Sequence, residues 1–277
     1  MSDVLDRIMV ISDLDGTLLD LKTYSSTAAG PALEALKKKG ACLVLASSKT
    51  RAELEPIRSQ LGHDGPFIVE NGGALCVPTG FFRVPLEGAI PQETYEIIPF
   101  GTPYAQLLAA LKEMAGTLGI QIHGFGDMTI EEVAERTGLT YHEATLAKRR
   151  EYDEPFVLGN DALIESVCRE AAARGLTCTR GGRFYHLLGP NDKGTACRFL
   201  IQCCRRQLAA SQGRLYTIGI GDSANDLPML VAVDQPILVQ YPDGSYDSTM
   251  HLPHVIHAPG IGPVGWNAAV LALLKDA

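Results

Sequence analysis

The sequence predicts an α/β protein with a doubly wound, Rossmann-like parallel-sheet core and an inserted α+β cap domain. Three observations carry that prediction. Short apolar runs at 8–11, 41–46, 67–70 and 215–220 lack polar alternation, as strands covered on both faces do. Helical patterns separate them in the strand–helix–strand order of a parallel sheet. The rhythm fails between about 85 and 188, where Pro85, Gly88, Pro91 and Pro99 open a stretch of mixed strand and helix signals. The predicted division is a core of 1–84 and 189–277 around a cap of 85–188.

In chain order, 27–39 reads as a helix. Thr27 is its candidate N-cap, Pro31 lies in its first turn, and Lys37–Lys38–Lys39 before Gly40 forms a solvated cationic stop. A second helix is predicted over 50–61, and a hairpin pairs 74–77 with 80–84. Within the insertion, 95–98, 120–125 and 156–158 read as strands, and 103–117, 129–136, 140–150 and 162–173 as helices. Gly181–Gly182 is a turn signal between strands 176–179 and 183–187. Helix 192–208 then resumes the core rhythm. Strand 236–239 follows, and the Gly/Pro-rich run 259–263 leads to a closing helix.

Composition bounds the function. The 277 residues are 46% hydrophobic and 20% charged, enough for a substantial core, and the net charge is −8. An acidic chain has no electrostatic footprint for nucleic acid or an anionic membrane, so a phosphorylated substrate needs a local pocket of cations. The seven cysteines are odd in number and form no CxxC pair. They predict reduced thiols and a cytoplasmic protein. The N-terminus carries no signal-peptide pattern, and 264–274 is too short to span a membrane. Oligomeric state is not legible. His251, His254 and His257 suggest a metal cluster by count only, because Pro253 and Pro259 break any helix that would align them.

The chemistry concentrates in four places. Asp13–Leu14–Asp15–Gly16–Thr17 follows the first strand, Ser47 the second, and Gly221–Asp222–Ser223–Ala224–Asn225–Asp226 a later one, while Lys193 begins a helix. A doubly wound sheet gathers such loops on its carboxyl edge. Convergent carboxylates can hold a hard cation, one can attack phosphorus, and the other can move a proton. Each part has a plainer alternative. Ser47 could cap a helix, Lys193 could be solvated, and Asp222 could cap the helix near 227. But a lysine at a helix N-terminus opposes the macrodipole unless an anion faces it. The set together matches phosphoryl transfer, which needs charge neutralisation and in-line positioning.

These four stretches resemble the motifs of the haloacid dehalogenase superfamily of phosphatases, in order along the whole chain. Within it, Ser47–Ser48–Lys49–Thr50–Arg51, Glu70–Asn71–Gly72–Gly73, Lys148–Arg149–Arg150–Glu151–Tyr152, Glu154–Pro155–Phe156 and Arg180–Gly181–Gly182–Arg183–Phe184 are similar to the mannosyl-3-phosphoglycerate phosphatases. Ser47 is taken over Ser48 because it directly follows the strand. The resemblance implies Asp13 as nucleophile and Asp15 as acid and then base. It implies Mg²⁺ held by Asp13, the Asp15 carbonyl and Asp222, with Asp226 supporting directly or from behind. Ser47 and Lys193 would hold the phosphoryl oxygens. The implied substrate is mannosyl- or glucosyl-3-phosphoglycerate. Lys49, Asn71, Gly72 and Asn225 would bind it from the core, and Glu151, Arg180, Gly181, Gly182 and Arg183 from the cap. Arg180 and Arg183 would meet the glycerate carboxylate, and Glu151 or Glu154 the sugar hydroxyls. A broader sugar-phosphate phosphatase, a phosphosugar mutase and a non-catalytic phosphosugar-binding regulator are the competing readings. Intact Asp13 and Asp15 speak against the last.

Overall fold

A computed structural model describes residues 7–84, 86–180, 183–209 and 212–276. Its large sheet contains β1 (Arg7–Ser12), β2 (Cys42–Ala46), β3 (Phe67–Val69), β4 (Ala74–Pro78), β5 (Ile90–Gln92), β6 (Tyr95–Pro99), β11 (Leu215–Gly221), β12 (Gln235–Gln240) and β13 (Ile256–Ile261). Their spatial order is β13-β12-β11-β1-β2-β3-β4-β6-β5. Pairing is parallel from β13 to β3 and antiparallel beyond it. Alternate residues of β1 feed opposite faces. Val10 packs in a core with Leu45, Trp266 and Val270, whereas Met9 and Ile11 pack with Val44, Leu200 and Ile201. That two-sided burial is why the strands read as unbroken apolar runs.

The helices of this layer are α1 (Gly30–Lys38), α2 (Arg51–Leu61), α7 (Lys193–Ala209), α8 (Leu227–Val231) and α9 (Pro263–Asp276). Thr50 begins α2 with a capping box: its hydroxyl accepts the Glu53 N–H, and the Glu53 carboxylate accepts the Thr50 N–H. Gly62, left-handed at φ 59°, ends the helix.

A second sheet is built from β7 (Ile122–Gly124), β8 (Asp153–Leu158), β9 (Thr177–Arg180) and β10 (Tyr185–Leu188), antiparallel in the order β7-β8-β10-β9. Helices α3 (Tyr104–Leu118) and α6 (Ile164–Ala173) cover one face through Leu107, Leu111, Val167 and Ala171, packed on Phe156 and Leu187. Helices α4 (Ile130–Thr137) and α5 (Tyr141–Ala147) cover the other, where Val133 and Ala144 meet Val157 and Phe184. Capping boxes at Thr129–Glu132 and Thr140–Glu143 start both short helices.

Three expectations change. The division near residue 85 would leave β5 and β6 with the insertion. Instead β6 pairs with β4 over Tyr95–Pro99, so the large sheet continues to 99 and the second sheet's segment begins beyond it. The hairpin of 74–77 with 80–84 does not form. The chain bends after Gly80, whose φ is 82°, and Phe82 turns into the core, while β4 takes β3 and β6 as partners. The run 259–263 does not simply lead to the last helix, since its first part belongs to edge strand β13, where a proline costs no ladder bond. No helix among the described residues is long and apolar enough to cross a membrane. All seven cysteines are free thiols.

Candidate active site

Asp13 directly follows β1. The backbone there is fixed from below: the Trp266 indole donates to Ser12 Oγ at 2.9 Å, and Ser12 Oγ donates to the Asp13 carbonyl at 2.7 Å. Lys193, the first residue of α7, reaches back with its ammonium 2.6 Å from Asp13 Oδ1 and 2.7 Å from Asp226 Oδ1. Its side chain is fully buried. Burial alone would lower its pKa; the Asp13 and Asp226 carboxylates outweigh that and raise it, so it stays charged. Here is the anion that the reversed helix-end charge demanded.

Asp226 is completely buried, and its Oδ2 accepts the N–H groups of Asp222 at 3.1 Å and Ser223 at 3.3 Å. Asp222 therefore faces the cluster rather than capping the next helix. Gly16, at φ +80°, admits it: a Cβ there would lie 2.8 Å from Asp222 Oδ2. Asp13, Asp222 and Asp226 each bring one oxygen within 4.8 Å of the others'. Burial, with the charges of Asp13 and Asp226, pushes the Asp222 carboxyl up to about 8. Three carboxyl groups converge beside one lysine that touches only Asp13 and Asp226, and Asp15 Oδ1 nearby in sequence is buried without a partner. A divalent cation with oxygen preference fits this donor set. Among the described residues it is the only such convergence, and His251, His254 and His257 form none.

Asp15 bonds through Oδ2 to Lys49 at 3.1 Å. Burial raises the Asp15 pKa against the pull of Lys49. Ser47 is buried at the end of β2, and its hydroxyl oxygen accepts the Lys49 N–H at 3.1 Å. Thr50, not Ser47, caps α2, so the Ser47 hydroxyl hydrogen is not committed to a helix. Asn71, left-handed at φ 55°, accepts from Asn225 Nδ2 at 3.3 Å and donates to Asp153 Oδ2 at 3.3 Å. Gly72 lets this turn press on the start of α7, since a Cβ there would lie 2.0 Å from the Asp192 carbonyl oxygen.

The junction with the second sheet is a further cluster, drawn from the stretches 70–73, 148–152 and 154–156. The buried Glu70 carboxylate accepts the N–H groups of Glu151 at 2.9 and 3.1 Å and of Tyr152 at 2.8 Å. Burial pushes it up to about 8, with Arg150 opposing. Arg150 donates to the carbonyls of Ser48 at 2.8 Å and Ala147 at 2.9 Å and lies 3.6 Å from Asp153. Glu154 accepts the Tyr104 hydroxyl at 2.6 Å and the Gly126 N–H at 2.9 Å, and burial pushes it up to about 7. Glu70 and Asn71 are two consecutive left-handed non-glycine residues, a turn held by its surroundings, of which only the Asn71–Gly72–Gly73 run shows in the sequence. Trp266 offered no signal.

The cap residues fare differently. Arg183 donates to the carbonyls of Thr137 at 2.8 Å and Arg136 at 3.2 Å, completing the end of α4. Arg180 lies over the Tyr185 ring, 5.6 Å from its centroid. Arg180 pairs with Tyr185 at one end of β10 and Arg183 lies just before that end, whereas the other end, Leu188, pairs with Asp153 of β8 beside Asn71. Four paired residues put roughly 10 Å between those ends. The expectation that both arginines reach the site is not met in this arrangement, where Arg183 donates to the end of α4 and Arg180 lies over the Tyr185 ring. Glu151 is occupied as well, by Arg51 Nε at 3.4 Å, and Glu154 by its own partners. Gly181 and Gly182 lie outside the described residues.

Residues 10–240 match the sequence profile of the haloacid dehalogenase-like hydrolases. The chain is 46% identical over 267 residues to a glucosyl-3-phosphoglycerate/mannosyl-3-phosphoglycerate phosphatase of Methanococcoides burtonii, covering 96% of this chain and 97% of that one. It is 36% identical over 231 residues to a mannosyl-3-phosphoglycerate phosphatase of Pyrococcus furiosus, covering 83% and 90%. A solved Thermoplasma acidophilum protein shares the fold with a TM-score of 0.66 at 19% identity, covering 98% of each chain. A haloacid dehalogenase-like hydrolase from Bacteroides thetaiotaomicron does so with 0.65 at 18%, covering 98% of this chain and 100% of that one.

Proposed function

The chain belongs to the haloacid dehalogenase-like hydrolases and is a phosphoric monoester hydrolase, and from that premise we propose that it removes phosphate from glucosyl- or mannosyl-3-phosphoglycerate with Mg²⁺. The observation that carries the reading is the Lys193 ammonium bridging Asp13 and Asp226 beside Asp222, a buried cluster at the carboxyl edge of the sheet. The names of the two relatives supply the substrate.

Asp13, the Asp15 carbonyl and Asp222 would hold the ion. Asp226, whose oxygens already accept from Lys193 and two backbone N–H groups, would support them from behind. Bound there, Mg²⁺ supplies charge neutralisation for the phosphoryl oxygens. The Asp13 carboxylate attacks phosphorus and the ester bond breaks as Asp15 gives its proton to the leaving alkoxide. Asp15 then takes a proton from water, which attacks the aspartyl-phosphate, frees phosphate and restores Asp13. Burial supports this double role, since it holds Asp15 above the ordinary carboxyl range. Ser47 and Lys193 steady the phosphoryl oxygens. The fixed turn at Asn71 and Asn225 borders the same edge.

The test is phosphate release over a panel of glucosyl- and mannosyl-3-phosphoglycerate, hexose phosphates and phosphoglycerates, with and without Mg²⁺. The reading predicts kcat/KM at least about tenfold higher on the glycosyl-phosphoglycerates. Comparable values on hexose phosphates would make the chain a broad sugar phosphatase instead.

A further inference from the structure

Arg180 and Arg183 do not reach the phosphoryl site, which leaves the rest of the substrate without a reader. A cavity of about 410 Å³ opens beside that site, between the loop after β1, helix α2 and helix α5. That volume suits a small organic ligand. Tyr24, Thr27, Lys49, Ile57, His142 and Leu146 contribute to its lining. The wall mixes apolar surface, hydroxyls, the Lys49 cation and the carboxylates of Glu53 and Glu143, so a ligand carboxylate would have to sit on the Lys49 side and sugar hydroxyls toward the acids.

Two side chains give the cavity a direction. The Lys49 ammonium is 3.1 Å from Asp15 Oδ2 and 5.1 Å from the centroid of the Tyr24 ring. The sequence in space is thus Asp15, Lys49, Tyr24, leading away from the reacting centre. Tyr24 itself is unusual. It is left-handed at φ 53°, a conformation that costs free energy for a bulky residue, and 48% exposed. The loop enforces this: the Asp20 carboxylate accepts the N–H groups of Lys22 at 3.1 Å and Thr23 at 2.8 Å, and the Asp20 carbonyl accepts that of Tyr24 at 2.8 Å. A closed turn therefore presents an aromatic face at the cavity instead of burying it.

Building on the proposed function, we infer that Tyr24 is the platform for the sugar ring and Lys49 the partner of the glycerate carboxylate, with α5 closing the cavity from the cap side. The chemistry follows the spatial order: phosphoryl group at Asp13, bridging oxygen at Asp15, carboxylate at Lys49, sugar on Tyr24. The apolar face of a pyranose stacks on an aromatic ring, and a carboxylate takes an ammonium in a largely desolvated place.

Tyr24→Asn removes the ring, and asparagine tolerates the left-handed backbone. Tyr24→Phe keeps the ring and serves as the conservative rescue. Steady-state kinetics on glucosyl- and mannosyl-3-phosphoglycerate are compared with glycerol phosphate, which has no sugar, and a thermal melt of each variant monitors folding. In Tyr24→Asn, KM for the glycosyl substrates should rise about tenfold or more with kcat changed much less. The accompanying loss of kcat/KM on glycerol phosphate should be at least about fivefold smaller, and Tyr24→Phe should restore KM to within about threefold of wild type. Equal losses on both substrate types, or a Tyr24→Phe as impaired as Tyr24→Asn, would overturn the inference alone. A wild-type protein that hydrolyses neither glycosyl-phosphoglycerate would overturn the proposed function and this inference with it.

Discussion

Two buried clusters of charge lie within one loop of each other, and they are compensated differently. Around Lys193 three carboxylates share one ammonium, and two of the three are pushed well above their ordinary range by burial and mutual repulsion. Around Arg150 burial raises Glu70 as well, but there the acids meet fixed partners. Glu70 accepts three main-chain hydrogen bonds, Asp153 has Asn71 and His186 Nδ1 at 2.8 Å, and the guanidinium is close to both Asp153 and Glu53. A buried charge stays ionised cheaply only where donors are built around it. The second cluster is closed and joins the two sheets. The first sets three carboxyl groups beside one ammonium, a donor set that could hold a cation.

The sharpest way to break this contrast is to change the open cluster. Asp13→Asn should lower kcat by at least about 10³-fold, roughly 4 kcal/mol, while the melting profile stays cooperative. A variant keeping a tenth of wild-type turnover would remove Asp13 from the chemistry. Exhaustive chelation should lower activity at least about a hundredfold, Mg²⁺ should restore it, and Ca²⁺, larger and with more ligands, should inhibit. Full activity with no metal detected in the protein would contradict the cation assignment.

The closed cluster should respond in stability. Arg150→Met leaves Asp153 and Glu53 without their guanidinium and should cost about 3 kcal/mol in denaturant unfolding, the effect of stranding a buried charge. A loss below about 1 kcal/mol would mean the acids do not depend on it. Glu154 gives the pH arm. Burial raises its pKa to about 7 from an ordinary 4.5, so the folded state holds a proton that the unfolded chain releases. Its contribution is full below about 4.5 and is lost as pH rises through about 7, a change of about 3 kcal/mol. Glu154→Gln can still accept from Gly126 and donate to Tyr104, and should flatten that part of the stability–pH curve. An unchanged curve would assign the dependence elsewhere. Arg183→Ala should have the smallest effect, a kcat/KM within about twofold of wild type on the glycosyl substrates. A loss of a hundredfold would show that the arginine leaves α4 and reaches the substrate.

What was legible in the sequence follows from what is local. The β1, β2 and β11 strands announced themselves because two-sided burial demands uninterrupted apolar residues, and the loops after them carry their acids at fixed offsets. Lys193 was legible through a conflict, a cation placed against its own helix dipole. Tertiary pairing was not legible. Tyr95–Ile98 has the same strand signal whether it pairs with β4 or with the second sheet, and only β4 decided it. Arg180 and Arg183 looked like carboxylate readers because composition cannot tell that Arg183 closes the end of α4 and that Arg180 lies over the Tyr185 ring. Tyr24 was silent for a related reason: its significance lies in a backbone angle set by Asp20 and in a ring set beside Lys49, neither of which a side-chain pattern encodes.

The central claim is that the Asp13 carboxylate itself bonds to phosphorus. The direct measurement is turnover in water enriched in heavy oxygen, followed by mass spectrometry of the peptide containing Asp13. Phosphate carrying one heavy oxygen and an unlabelled Asp13 would show only that water attacks phosphorus, as direct hydrolysis of the ester also requires, so the phosphorylated peptide decides the claim. When the first turnover is stopped by rapid acid quench, the same peptide should carry a phosphoryl group transferred from substrate to Asp13. Recovery of that phosphopeptide from wild type, and its absence from Asp13→Asn, is the predicted result. Complete turnover with no phosphopeptide at any quench time, although product forms in the first turnover at the same rate, would contradict it.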